Sequence, residues 1–360
     1  MNRVAATHRT SPDVAPSTPP RHVTRWDLDK TYLRTDFDTP RDLLRTAVER
    51  PDQKRTVPGA AALMRELDEA GSRIHILSGS PRQLRGRILE KLRLDGVRFE
   101  SLTLKPNLQN ILRLRFRAVR GQLGYKLPAL LRRRCELPTQ TVDGQLVVES
   151  LFGDDAEADA FVYSLYADVC AGRVDPEELT EVMRAGDCYE DDIADALRLA
   201  SYVVPGEVVT RILIHLERQT SPTAFEHYGP RVVPFYNYFQ AAMVLFEDER
   251  IPPRSLLRVA QELIVRHHFD GPTLTRSFLE LTRRGHASGA RLDALTADFS
   301  SWLRTPHRSQ IAGASELTVM IRELERHRGA IPPASDLAPD LDYRALVEHH
   351  NPRRRGRRAR

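Results

Sequence analysis

Cysteine is scarce in this sequence: Cys135, Cys170 and Cys188 are spread over 360 residues with no CxxC pair and no accompanying histidine motif. An odd, widely spaced set argues against a disulfide framework and a structural zinc site, and it points to a reducing, cytoplasmic setting. Long hydrophobic runs are missing too. The longest, around Phe235 to Phe246, falls far short of the ~20 residues a spanning helix needs. Residues 1–20 carry no apolar core of the kind a secretory signal has, and are rich instead in Pro, Ser, Thr and Ala, the composition of a disordered leader. The chain as a whole is 41% apolar and 29% charged, enough to bury a core, and it is long enough for two domains.

The net charge of +5 suggests nucleic acid until it is located. Six arginines (Arg353, Arg354, Arg355, Arg357, Arg358 and Arg360) stand in the last eight residues, and without them the rest of the chain is at −1. The basic character belongs largely to a tail, residues 349–360, expected to be disordered. Nucleic-acid binding is therefore not expected outside that tail.

Between residues 21 and 172, short β-branched or apolar runs alternate with helical patterns. The runs end at Asp27 and cover Ile74–Leu77, Phe99–Leu104 and Gln145–Phe152. The helices fall near Ala60–Ala70, Arg82–Leu94, Leu127–Cys135 and Ala156–Cys170. That alternation predicts βαβ units and a parallel sheet. Past Gly172 the patterns are all read as helical, including Gly206–Arg218 and Val233–Phe246, so residues 173–348 are expected to form an all-helical domain. Its first helix has a clear start in Asp175-Pro176-Glu177-Glu178, with an N-cap, a proline in the first turn and an acid three residues on.

The chemistry-bearing residues fall at strand ends. In Trp26-Asp27-Leu28-Asp29-Lys30-Thr31, an extended chain would point Asp27 and Asp29 the same way, at the carboxyl end where open α/β sheets bind ligands. Two aligned carboxylates there can hold a hard cation and divide nucleophilic and acid/base roles; the competing reading is an Asp-rich turn capped by Thr31. Ser78-Gly79-Ser80-Pro81 ends the next strand with hydroxyl and backbone N–H groups at a helix start, an anion site. Lys126 is read as beginning the helix before the fourth strand, which ends in Asp154-Asp155-Ala156-Glu157-Ala158-Asp159, a further supply of carboxylates.

This ordered set resembles the haloacid dehalogenase (HAD) superfamily of phosphohydrolases over roughly residues 22–172. Ser78-Gly79-Ser80-Pro81-Arg82-Gln83-Leu84, Leu104-Lys105-Pro106 and Gly153-Asp154-Asp155-Ala156-Glu157-Ala158-Asp159 are similar to the phosphatidate phosphatase catalytic domain of actin-patch-type proteins. The resemblance implies a HAD-like Rossmannoid sheet and an aspartyl-phosphate mechanism. Asp27 would be the nucleophile and Asp29 the acid and base, with Ser78, Gly79 and Lys126 on the phosphoryl oxygens. Mg²⁺ would sit on Asp27, Asp29 through its backbone carbonyl, and Asp154. The second carboxylate of the last motif is Asp155 or Asp159, with the subfamily spacing favouring Asp159. Two positions depart from the pattern: Lys30 replaces a third Asp, and Arg25 makes the first strand less apolar than usual.

Fewer than 50 residues separate Asp29 from Ser78 and Ser78 from Lys126, which leaves no room for a large cap. An uncapped site suits a phosphate on a large or interfacial substrate, phosphatidate at a membrane surface among them. Residues 101–135 hold nine basic residues and no acid, with Arg113, Arg115 and Arg117 alternating along one face of an extended segment. Those charges either attract an anionic substrate or membrane surface, or pair with the acidic stretch 151–200. His267-His268 is read as a helix-end feature and Phe235 to Phe239 as helical core. The competing functional reading is a non-catalytic scaffold presenting the helical region to a protein partner.

Overall fold

A central strand with helices on either side organises the fold. The computed structural model describes residues 21–34, 55–105, 119–304, 312–327 and 340–350. The leader, Arg113, Arg115, Arg117 and the arginines of the tail lie outside them.

Strand β1 (His22–Asp27) is followed by α1 (Ala60–Glu69), β2 (Arg73–Pro81), α2 (Arg85–Leu94), β3 (Ser101–Lys105) and α3 (Val119–Cys135). A small hairpin, β4 (Thr141–Val142) and β5 (Gln145–Leu146), leads into β6 (Val148–Asp154) and α4 (Asp159–Ala171). Helices α5 (Pro176–Ala185) and α6 (Glu190–Ala200) precede β7 (Val209–His215) and β8 (Val232–Phe235). The remaining described elements are helices: α7 (Tyr238–Glu247), α8 (Pro253–His267), α9 (Gly271–Arg283), α10 (Leu292–Leu303), α11 (Ala314–His327) and α12 (Tyr343–His350). Asp175 caps α5 as expected, its carboxylate accepting from the Glu177 and Glu178 N–H groups.

The sheet has six strands in the order β3-β2-β1-β6-β7-β8, and every pairing is parallel. The α/β class with a largely helical C-terminal region is thus as expected, but the all-helical reading past Gly172 is corrected at two places. Residues 209–215 and 232–235 are strands of the same sheet, where Gly206–Arg218 and the start of Val233–Phe246 were read as helix. The reason lies in Val208, Val209, Thr210, Ile212 and Ile214, a concentration of β-branched side chains whose stiff χ1 suits a pleated strand. Covered on both faces, β7 shows none of the polar alternation that would announce a strand. Period-two geometry sorts its side chains: Leu213 joins Trp26, Phe152 and Val233 in one core, while Ile212 and Ile214 join Leu151 and Val232 in the other. Helices α1, α2, α7 and α8 cover the first face, and α3 to α6 with α12 the second.

Lys126 also needs correction. It lies in the interior of α3, not at its start, because the helix begins at Val119, eight residues upstream of Leu127, and tolerates Pro128 inside it.

Candidate functional site

In an all-parallel sheet the carboxyl ends of the strands share one edge. The strand order reverses direction between β1 and β6, the point at which such sheets bind ligands, and Asp27 and Asp154 are the last residues of these two strands. Trp26, just before Asp27, and Phe152, two residues before Asp154, stack at 3.7 Å between ring centroids and set the two strand ends side by side.

Lys126 brings the acids together. Its ammonium, fully buried, lies 3.1 Å from Asp27 Oδ1 and 2.9 Å from Glu157 Oε2, and it also donates to Asp159 Oδ1. Burial alone would lower its pKa, but Asp159, Asp27 and Glu157 reverse that and hold the ammonium well above its ordinary range. The carboxyl groups feel the opposite balance. Burial, added to the repulsion of neighbouring acids, pushes Asp27 and Asp154 well up and Asp159 up, with Lys126 opposing the shift at each.

The rest of the acidic turn is fixed by backbone contacts. Asp154 Oδ1 accepts from the N–H groups of Ala156 and Glu157 at 2.6 and 3.1 Å, and Asp159 Oδ2 accepts from the Asp154 N–H at 3.2 Å. Gly153 permits this: a Cβ there would stand 2.5 Å from that of Asp159.

Asp27 Oδ2 and Asp154 Oδ2 are buried with no hydrogen-bond partner. Leaving two carboxylate oxygens so is costly unless a proton or a cation satisfies them. Ligand oxygens of Asp27, Glu157 and Asp159 lie within 4.8 Å of one another, so this cluster could hold a metal ion, and an all-oxygen donor set suits a hard cation such as Mg²⁺. Of the residues expected to hold metal, Asp27 and Asp159 belong to this cluster, with Glu157 as its third member.

Asp29 faces the end of β2. Its Oδ2 accepts from the Ser78 hydroxyl at 3.1 Å and the Ser80 hydroxyl at 3.0 Å, while Ser78 Oγ accepts from the Ser80 N–H at 3.0 Å. Asp27 and Asp29 thus have separate partners, because β1 ends at Asp27 and the chain turns through Lys30, which has a left-handed φ of 63°. Gly79 lies in β2 between the two serines, with open space where its side chain would be. Asp155 stays outside the cluster, where it accepts from the N–H groups of Arg218 and Thr220 at 2.8 and 3.0 Å.

Sequence reasoning assigned no role to several participants. Glu157 was one carboxylate among many in its run, and Ser80 stands two residues from Ser78 on the same strand face, a spacing that could have flagged it. Tyr125, whose hydroxyl donates to the Ser78 carbonyl at 3.0 Å, had no signal. The same is true of His215 and Tyr238. Nδ1 of His215 donates to the Lys30 carbonyl at 3.0 Å and the Tyr238 hydroxyl to the Thr31 carbonyl at 2.6 Å, so β7 and α7 clamp the turn that carries Asp29.

Of the basic residues in 101–135, Lys126 and Arg132 pair with the acidic stretch, Arg132 through Asp195. No helix among the described residues is long and apolar enough to cross a membrane.

No family model matches the chain. No curated protein matches it either. Among solved structures, one described as "Structure of Pnkp1/Rnl/Hen1 complex" is similar at 17% identity and a TM-score of 0.27, over 45% of this chain and 49% of that one, so the chain spans about half its length. HmdII from Desulfurobacterium thermolithotrophum, reconstituted with an Fe-guanylylpyridinol cofactor, covers 91% of each chain at 13% identity and a TM-score of 0.17. Similarities this distant carry no argument about function. The fold and the site stand on their own geometry: a six-stranded parallel α/β sheet with a buried acidic cluster at its carboxyl edge.

Proposed function

We propose that the protein is a HAD-like, metal-dependent phosphohydrolase that works through an aspartyl-phosphate on Asp27. The observation that carries this reading is the Asp27 carboxylate, buried at the sheet's switch point with Oδ1 paired to Lys126 and Oδ2 free of any hydrogen bond. A nucleophile needs that oxygen free.

In this reading Oδ2 attacks phosphorus in line with the leaving oxygen; the Asp27–phosphorus bond forms as the ester P–O bond breaks. Asp29, oriented by the Ser78 and Ser80 hydroxyls, gives its proton to the departing oxygen and then takes one from the water that cleaves the acyl phosphate. In the same reading Ser78 and Lys126 receive the phosphoryl oxygens. Mg²⁺ held by Asp27 and Asp154, with Glu157 and Asp159 beside them, would offset the charge of the phosphoryl group as the carboxylate approaches. Phosphatidate, or another phosphomonoester on a large or interfacial body, is the substrate class we propose from the sequence resemblance.

The test is phosphate release from an aryl phosphate and from phosphatidate in vesicles. Activity should require Mg²⁺ and vanish on chelation, and Asp27→Asn should lose at least about a thousand-fold in kcat while unfolding as the wild type does. Turnover by Asp27→Asn at the wild-type rate would reject the reading.

A further inference from the structure

A second concave site lies on the other side of the Asp29 turn. It is a cavity of about 630 Å³, within the size range of small-ligand pockets, formed where α1 and α2 meet the end of α8. Two acids face it and both are already neutralised. Asp95 accepts from the ammonium of Lys91 at 2.8 Å, the hydroxyl of Thr56 at 2.8 Å and that of Tyr32 at 2.5 Å, and Glu262 is paired with Arg65.

Three further lining residues, Arg34, Arg55 and Arg266, are exposed and have no side-chain hydrogen bond or ion-pair partner among the described residues. With the two pairs cancelled, the described lining presents three positive charges. Its apolar lining includes Val57, Pro58 and Leu94. Guanidinium groups lining a concave surface match the charge and hydrogen-bonding geometry of phosphate oxygens.

The cavity is tied to the catalytic turn by backbone. Leu33 forms one bridge to Asp29 and another to Thr56, a lining residue; two such spacings put the Asp29 and Thr56 backbones within about 10 Å of each other.

We infer that this cavity is an anion subsite receiving a second phosphate or diphosphate group of the substrate whose phosphomonoester sits over Asp27. What it binds rests on the cavity alone; the role of that binding in turnover rests on the proposed phosphohydrolase activity.

Two measurements on the full chain separate these parts. Calorimetric titration with tripolyphosphate should show binding that weakens as salt is raised. The double variant Arg34→Gln, Arg266→Gln should weaken it at least about tenfold without changing the unfolding midpoint. In kinetics, adenosine 3′,5′-bisphosphate should be preferred to the adenosine monophosphates, and the double variant should lose that preference while hydrolysing an aryl phosphate within about twofold of wild type.

Tripolyphosphate binding that survives the arginine changes but is lost in Ser78→Ala would place the anion in the catalytic site and overturn the inference. Weakened binding with the bisphosphate preference intact would overturn the subsite role. Binding as expected in a protein that releases phosphate from no substrate would sink the phosphohydrolase reading and leave the cavity an anion site.

Discussion

Arg25, the residue that makes β1 look too polar for a central strand, is fully buried against Glu149 of the neighbouring β6, with contacts of 2.5 and 2.7 Å. Arg134 and the Tyr166 hydroxyl complete the set at 3.2 and 2.9 Å. Burial would raise the Glu149 carboxyl, but the two guanidinium groups and their hydrogen bonds outweigh it and hold the pKa at about 2. Removing one partner strands a charge, so Arg25→Met should destabilise the protein by about 3–5 kcal/mol in denaturant titration. Glu149 ionises near 4.5 in an unfolded chain, so its pairing contributes fully above that pH and is lost as pH falls toward 2. Two histidines act in the same direction. His22, between the Ser72 and Ser150 hydroxyls, and His75, on Ser101, are pushed to about 3 mainly by burial. The unfolded state takes up their protons near pH 6.5 and the folded state near 3, so stability falls with acidification across that window. His22→Gln should make the denaturation midpoint less steep in pH between 6.5 and 3; an unchanged slope would mean that the ring is already protonated in the fold.

At the scale of elements, the legible features were those written locally. The Asp175 N-cap, the strand ending at Asp27 and the run from Asp154 to Asp159 each have a short-range signature. The strand β7 did not, because burial on both faces removes the alternation and leaves β-branching as its only mark. The start of α3 was misplaced because Pro128 reads as a first-turn residue, and the length gained upstream carries Lys126 to mid-helix. Partners supplied by distant elements were invisible for the same reason: nothing near His215 or Tyr238 in sequence announces Lys30 or Thr31. Tyr238→Phe should therefore lower kcat more than KM and leave the fold intact, since it frees one carbonyl of the Asp29 turn; an equal change in an Asp29→Asn background would show that it acts elsewhere. Gly153→Ala should displace Asp159, costing about 1–3 kcal/mol in stability and at least about tenfold in activity. Wild-type activity in that variant would show that the β6–α4 turn can give way.

Across the whole molecule, the sheet does not stop where the alternating pattern fades. β7 pairs with β6 along its length, Tyr238 lies on Trp26, and α5, α6 and α12 pack on the opposite face, so residues after 172 complete both the sheet and its two covered faces. A chain ending at Gly172 should expose the β6 edge and show no cooperative unfolding transition, whereas a folded fragment with native-like chemical shifts would contradict this. The same topology has a consequence in time. His22 pairs with Val148, 126 positions later, and the sheet's other half waits for β7 and β8. At a synthesis rate of about 5–20 residues per second, β1 leaves the ribosome roughly 6–25 seconds before its β6 partner does. Through that interval β1, β2 and β3 have one another but no covered second edge, so protease sensitivity of stalled chains should persist until β7 has emerged.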